Sequence, residues 1–480
     1  MSAIITKDYR ILNADTFIRS MAGGTPLNYL YLFIGKSTSW VNDTLPPSAI
    51  DNMDNTNEIW NNILSLKRIL SSDVSLGVMK KNWVYGNFYD IYRHDYGNAG
   101  ANGVTLTGSI STPATLGDAN YYVVSDVGSV YMCIDNNGGT ASTDNPVNYG
   151  TGIGFDIFTT GDGYRWKYIA STSPSDYSKF SSIEFHPIKN VLTEPPIGDP
   201  YENQYLSQVK ASTMGGAIFN IITENSGTSI YYSTTIGTLG EAGQSQIVVK
   251  GDGTGLQLQF STNSSGGVSK VTVLDPGQGY TYCYVNCTAI TSASFTPIIT
   301  PLEGLGADIV RDMNAYYMLM DIKLAYAEGD GIFTTSNDYR QIGIVSNPKD
   351  YNGTLAAQNA LDATYNLVMT TANSYTVDGI ITNTITGTTA RVVDWDPISK
   401  ILRVNFPRPS SSVDWVNNLG FAAGHPIHES DWLSGVTATI ESVIPPDVMY
   451  NSGKIIYYEN RKPITRDASQ IEDIHIALEF

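Results

Sequence analysis

The sequence predicts a mainly β protein with a few helices, an α+β chain. In this reading a discontinuous α/β core domain carries an inserted β-sandwich domain and two small Gly-rich β inserts. Three observations predict the mainly β class. Charged residues make up only 15% of the chain while Tyr numbers 31 and Gly 44, a balance of strand formers and turn residues rather than of long helices. Period-two alternation recurs, most clearly where Ile474, Ile476, Leu478 and Phe480 fall on one side of an extended chain and His475, Ala477 and Glu479 on the other; this is the pattern of a half-buried, docked strand. Turn-rich clusters such as GNAGANG and DNNGGTASTDNP separate short alternating runs, as they do in small β domains.

At 480 residues the chain has the length for about two to four domains. The changes of style along it divide it into residues 1–96 (first part of the core), 97–210 (inserted β domain), 211–301 (Gly-rich β insert), 302–365 (middle of the core), 366–445 (second β insert) and 446–480 (C-terminal core strands).

In order, Tyr9, Leu12, Phe17 and Met21 predict a helix within residues 3–23, stopped by Gly23-Gly24-Thr25-Pro26. The run NYLYLFI ending at Ile34 predicts a buried strand. Gly35-Lys36-Ser37 after it has the look of a phosphate-binding loop, but the upstream glycine is missing, and Trp40 and Pro46-Pro47 stand where a helix would be needed, so that reading is rejected. Ile59, Trp60, Ile63, Leu64, Lys67 and Leu70 repeat at helical spacing. They predict a packing helix over residues 56–71, with Asn55 and Glu58 as a capping box.

Strands are expected at residues 121–124 and 129–134, and Gly161-Asp162-Gly163 predicts a hairpin, with Asp162 a turn residue rather than a calcium ligand. In residues 211–301 strands are expected at 246–250, 256–261 and 268–274; Gly251 to Gly255 and Asp275 to Tyr280 supply turns, not a nucleotide loop, because no helix follows. Residues 308–325 read as a strand, 354–364 as a short helix, and residues 379–406 as hairpins. His425 and His428 are spaced as a metal pair could be, but without a nearby Cys or fixed carboxylate they read as a surface loop. Pro463 marks an edge or turn, since it removes a ladder donor.

The net charge of −18 disfavours a phosphate backbone as ligand. Cys133, Cys283 and Cys287 are odd in number; the last two, in one strand, would lie roughly 13 Å apart, too far to bridge, so all three read as reduced packing residues. No secretory leader and no membrane-length apolar run is recognised, so folding in a cytoplasm is expected.

Four stretches carry a resemblance, in order along the chain. They are Leu32-Phe33-Ile34-Gly35-Lys36-Ser37 with Trp40; Gly161-Asp162-Gly163-Tyr164 with Trp166 and Tyr168; Tyr339 to Pro348 (YRQIGIVSNP); and Ser452 to Phe480, with Glu459-Asn460-Arg461 and Pro463-Ile464. Together they resemble the baseplate wedge protein, the product of gene eight, of T-even-type contractile-tailed bacteriophages. Residues 211–301 and 366–445 have no counterpart in that pattern. The resemblance implies a structural subunit of the virion's tail baseplate, made in the host cytoplasm. It would be a dimer within each wedge, in contact with other wedge proteins, and would pass on the baseplate's rearrangement when the tail contracts. It implies no enzymatic activity and no cofactor.

The residues themselves assign no catalytic, cofactor-binding or metal position: no Gly-x-Ser-x-Gly, zinc signature or phosphate loop occurs. Two other classes stay open. A carbohydrate- or receptor-binding tail adhesin would use the Gly-rich inserts and show clustered exposed aromatics. A polysaccharide-degrading enzyme would need two carboxylates ~5–10 Å apart in a cleft.

Overall fold

A computed structural model describes residues 4–21, 28–97, 109, 113, 115–149, 157–189, 200, 209–210, 213–236, 246–325, 332–335, 337–406, 420–467 and 469–480. The protein is mainly β, 43% strand and 12% helix, as the low charge and high Tyr content predict. The chain divides into two compact units, one of Met1–Asp15, Ser75–Leu319 and Ala477–Phe480 and the other of Thr16–Val74 and Met320–Ile476. These units cut the chain differently from the changes of sequence style. Residues 97–301 belong to the first unit, 366–445 to the second, and the middle core stretch is split after Leu319.

Helix α1 (Lys7–Ser20) forms where expected, but with a different face inward. Ala14 and Met21 are buried, whereas Tyr9 and Leu12 are more than half exposed. The predicted stop at Gly23 to Pro26 lies outside the described residues. Strand β1 (Leu30–Gly35) is buried along its whole length, as its unbroken apolar run requires.

The packing helix is shorter and earlier than its spacing suggests. Helix α2 spans Met53–Asn62, and Asn52, not Asn55, is its cap, accepting from the Asn55 amide at 2.7 Å. Ile63–Ile69 is strand β2. Its pairing with β1, Phe33 opposite Leu66, gives the backbone a ladder that outweighs the helical spacing of its side chains.

In the first unit, β3 (Val74–Met79) precedes an aromatic stretch and then a four-stranded sheet. That sheet is built from β4 (Tyr122–Val124), β5 (Ser129–Asp135), β6 (Ile157–Thr159) and β7 (Arg165–Ser171), in the order β4-β5-β7-β6. It is the one sheet formed by the described strands of residues 97–180, and the predicted hairpin at Asp162 joins β6 to β7. The cluster GNAGANG lies almost wholly outside the described residues. Helix α3 (Pro174–Phe180) is capped by Ser173, and β8 (Phe185–Ile188) pairs with β3.

The Gly-rich insert holds β9 (Ile218–Asn225), β10 (Thr235–Ile236), β11 (Ile247–Gly251), β12 (Thr254–Thr262), β13 (Val268–Gln278), β14 (Cys283–Cys287) and β15 (Ser294–Ile299). Three small antiparallel sheets, β10-β12-β13, β11-β14 and β15-β9, close on one core that includes Leu258, Phe260, Val285 and Phe295. Gly253 has a packing reason beside its turn: a Cβ there would lie 2.4 Å from Cγ of Tyr280, so that ring occupies the space a side chain would take. The cysteines are free.

Residues 308–325 are not one strand. Asp308 accepts from the Arg311 amide and starts a single helical turn, α4 (Ile309–Asp312); Asn314, at φ 56°, reverses the chain, and only then does β16 (Tyr317–Ala325) begin. The short-helix expectation at 354–364 is also overturned. Asp350 accepts the Thr354 amide in a tight turn, and Ala360–Asp362 is a strand, β18, held against β2.

The second unit is organised by one antiparallel sheet. Strand β17 (Tyr339–Ser346) lies between β1 and β25 (Lys454–Ile464), giving the order β18-β2-β1-β17-β25. Pro463 sits in β25, the edge strand, where the missing donor costs no ladder bond. Residues 365–444 form β19 (Tyr365–Met369), β20 (Ile380–Asn383), β21 (Thr389–Asp396), β22 (Ile401–Asn405), β23 (Pro426–Glu429) and β24 (Ala438–Ile444). These close as a barrel, β19-β22-β21-β20-β23-β24, around Leu367, Ile381, Val392, Leu402 and Ile427. Strand β26 (Ile471–Glu479) lies beside β16. Its alternation is as read: Ile474 and Ile476 are buried, Leu478 and Phe480 half-buried, and His475, Ala477 and Glu479 exposed.

Two outcomes test this packing. At Gly343 a Cβ would stand 2.4 Å from the Tyr457 carbonyl oxygen and 2.5 Å from the Phe33 ring, so Gly343→Ala is expected to cost about 1–3 kcal/mol by overpacking, read as a lower denaturation midpoint. Removing residues 474–480 deletes the two buried isoleucines, worth ~1.5–3 kcal/mol each, together with the Arg10–Glu479 ion pair. A truncated chain that melts cooperatively at the full-length temperature would contradict the docking of β26.

Candidate functional site

Three of the four stretches that carry the sequence resemblance come together in the second unit. They supply β1, β17 and β25, three adjacent strands, with Phe33 opposite Gly343 and Gly343 opposite Tyr458. The loop after β1 is bound to the same strands. The Arg340 guanidinium grips Asp43 with two bonds of 3.0 Å and also donates to the Ser37 carbonyl. Trp40 Nε1 donates to the Arg461 carbonyl at 2.9 Å, and Asn460 Nδ2 to the Pro47 carbonyl at 2.9 Å. The loop therefore covers the edge strand, while its own Val41, Leu45 and Ile50, and Met53 beyond it, face outward. Lys36 is turned to Thr38 Oγ1 at 2.7 Å and over the Trp40 ring at 4.7 Å, and no helix follows it directly.

The fourth stretch forms the β6–β7 hairpin of the first unit. Trp166 stacks on Tyr164 with ring centroids 5.7 Å apart and meets Tyr89 edge-on. Burial opposes the charge of Asp162, but hydrogen bonds outweigh it and hold the carboxyl below its ordinary range. Ser142 Oγ and the amides of Thr143 and Asp144 all donate to Asp162 Oδ2 at 2.8–3.0 Å. Those donors make Asp162 the keystone of a turn.

His425 and His428 diverge. His425 Nδ1 meets Asn383 at 2.8 Å, whereas His428 Nδ1 meets the Val436 carbonyl at 2.8 Å. His428 stands on β23 rather than in the expected surface loop. Among the described residues no three His, Cys, Asp or Glu side chains are grouped to hold a metal.

A cleft of about 820 Å³ opens within the first unit, between the start of α1, the segment around His94, the turn at Thr115–Asp118 and the α4 turn. At its base is Asp312, 4% exposed, with Oδ2 accepting from the Gly306 amide at 2.7 Å. Burial pushes its carboxyl up to about 7, and neighbouring Asp308 acts in the same direction. The groups around Asp312 are Lys7 of α1, Asp308 and Arg311 at its own turn, and Tyr92 and Tyr121 from segments outside the strands.

Burial likewise lowers the Lys7 ammonium and the His94 imidazole. His94 Nδ1 accepts the Ile299 amide at 3.2 Å, which puts the ring proton on Nε2. The arginines lining the cleft are engaged. Arg93 forks onto Asp95 at 2.8 Å on both arms, Arg10 meets Glu479 at 2.9 Å, and Arg311 meets Asp8 at 3.5 Å.

No sequence signal marks this cleft. Lys7, His94 and Asp312 are far apart in the chain, and Asp312 falls in a stretch whose apolar alternation reads as strand. Compared with protein-family models and with curated proteins, the chain matches none.

The buried acid gives a pH-dependent outcome. A carboxyl whose folded pKa lies above its unfolded value, about 4, binds its proton more tightly in the folded state. Its stabilising contribution is present below that value and is lost as pH rises to about 7. Wild type should therefore lose stability relative to Asp312→Asn by at most ~1.4 kcal/mol per pH unit between those limits, levelling off above them. Chemical denaturation of both proteins at a series of pH values reads this difference.

Proposed function

We propose that the chain is a structural subunit of the baseplate wedge of a contractile-tailed phage, assembling with itself and with other wedge proteins. The observation that carries this reading is the placing of the resembling stretches. Segments some three hundred and a further hundred residues apart in the chain supply neighbouring strands of one sheet. In that sheet their shared residues act as scaffold: Gly343 lets Phe33 pack, Arg340 fixes the loop, and Trp40 and Asn460 tie it to the edge strand. The exposed Val41, Leu45, Ile50 and Met53 are the kind of surface that subunit contacts bury.

A second reading, a glycan-binding tail adhesin, is favoured by one feature of the barrel. Half-buried Trp395 and Trp432 flank Tyr375 with ring centroids 4.7 and 5.2 Å from it.

The mass of the purified protein in solution, alone and mixed with the other tail proteins, separates the two. A dimer that enters a larger defined complex is the outcome expected of a wedge subunit. A particle that ignores tail proteins and retains soluble glycans, with retention lost in Trp432→Ala, would replace that reading with the adhesin.

A further inference from the structure

We propose that the cleft over Asp312 is a binding site for a single carboxylate group, carried by a small organic acid or by the free end of a peptide. The cleft has the volume for such a ligand. What it presents is an excess of unengaged donors. The Lys7 ammonium has no hydrogen-bond partner among the described residues, and neither has the Nε2–H of His94. Both residues line the same space. The first turn of α1, a helix of fourteen residues, forms part of the wall and adds backbone N–H groups that no helical carbonyl satisfies.

The charge balance selects a monoanion. The three lining arginines already hold Asp95, Glu479 and Asp8. Among the described lining residues Lys7 is therefore the one cation without a direct partner. Asp118 and Asp312 lie on the same walls, and a phosphate dianion would meet their repulsion with a single lysine to offset it. One carboxylate matches one ammonium and the imidazole N–H that lines the same cleft. Half-buried Tyr316 is part of the same lining and suits an apolar or amide-bearing body behind the charged head. Asp312 tunes the site: in its neutral form it removes one negative charge from the lining, so carboxylate binding strengthens as pH falls through about 7.

Calorimetric titration of the full chain tests this, using an N-acetyl tripeptide with a free C-terminus, the same peptide amidated, N-acetylglycine and inorganic phosphate. The free-acid peptide is expected to bind and its amide to fail. Lys7→Gln should weaken binding about tenfold or more, the worth of a charge-assisted contact. Asp312→Asn should keep binding and lose its pH dependence; both variants are to melt cooperatively above the titration temperature. N-acetylglycine binding as tightly as the peptide assigns the site to a small free acid, and affinity that needs the longer chain assigns it to a peptide end. Equal binding of acid and amide, tighter binding of phosphate, an unchanged Kd in Lys7→Gln, or no heat with any probe up to about 10 mM would each overturn the proposal. A failed titration leaves the wedge reading untouched, because that rests on the ladder of β1, β17 and β25.

Discussion

The ladder of β1, β17 and β25 is the constraint on which the second unit depends. Every residue of β1 is buried, so its backbone donors and acceptors must be satisfied on both edges; β2 supplies one edge, and β17, recruited from far along the chain, supplies the other. Gly343 marks how tight the junction is, since the Phe33 ring and the Tyr457 carbonyl leave no room for a methyl group. Pairing at such separations costs loop-closure entropy before it is repaid. The segments between the ladder strands recover some of that cost by folding into modules with their own cores, the barrel of residues 365–444 above all.

The edge of this sheet illustrates a second constraint. An unpaired strand is a template for unwanted pairing. Here β25 carries Pro463 and is overlaid by the loop that Arg340 and Asp43 clamp. The clamp uses a buried charge, Arg340, in a chain with only 15% charged residues. Arg466 and Glu472 form another, 2.6 Å apart and almost fully buried, with the guanidinium over the Phe333 ring. Such pairs add little net stability over apolar packing, but breaking one leaves a buried charge alone, so they fix which arrangement of loops and strands is tolerated.

The first unit uses its buried polar groups differently. The Arg93–Asp95 fork and the Asp162 turn are saturated by protein partners, and both brace an aromatic core of Tyr89, Tyr121, Tyr164 and Trp166. Asp312 differs in being buried yet bordering a cleft, with a lysine nearby that it does not directly bond. A group so placed adds a pH dependence to stability and an electrostatic feature to the surface, both arising from desolvation.

By itself the sequence determined what short-range physics decides. Unbroken apolar runs set β1, strict alternation set β26, and Asp-Gly turns set the β6–β7 hairpin; in the first insert, Asp275 to Gln278, read as a turn, instead continue β13, because β12 pairs with them. It misled where two local preferences competed. Residues 63–69 repeat at helical spacing yet lie in the sheet, because β1 offers hydrogen bonds that a terminal helical turn cannot match. The helix expected at 354–364 gave way to β18 for the same reason. Only the tertiary structure decided which distant strands become neighbours, that Arg340 meets Asp43, and that Lys7, His94 and Asp312 share one cleft. Nothing local encodes those meetings: they follow from the closure of sheets, and the desolvation that shifts Asp312 exists only once that closure is complete.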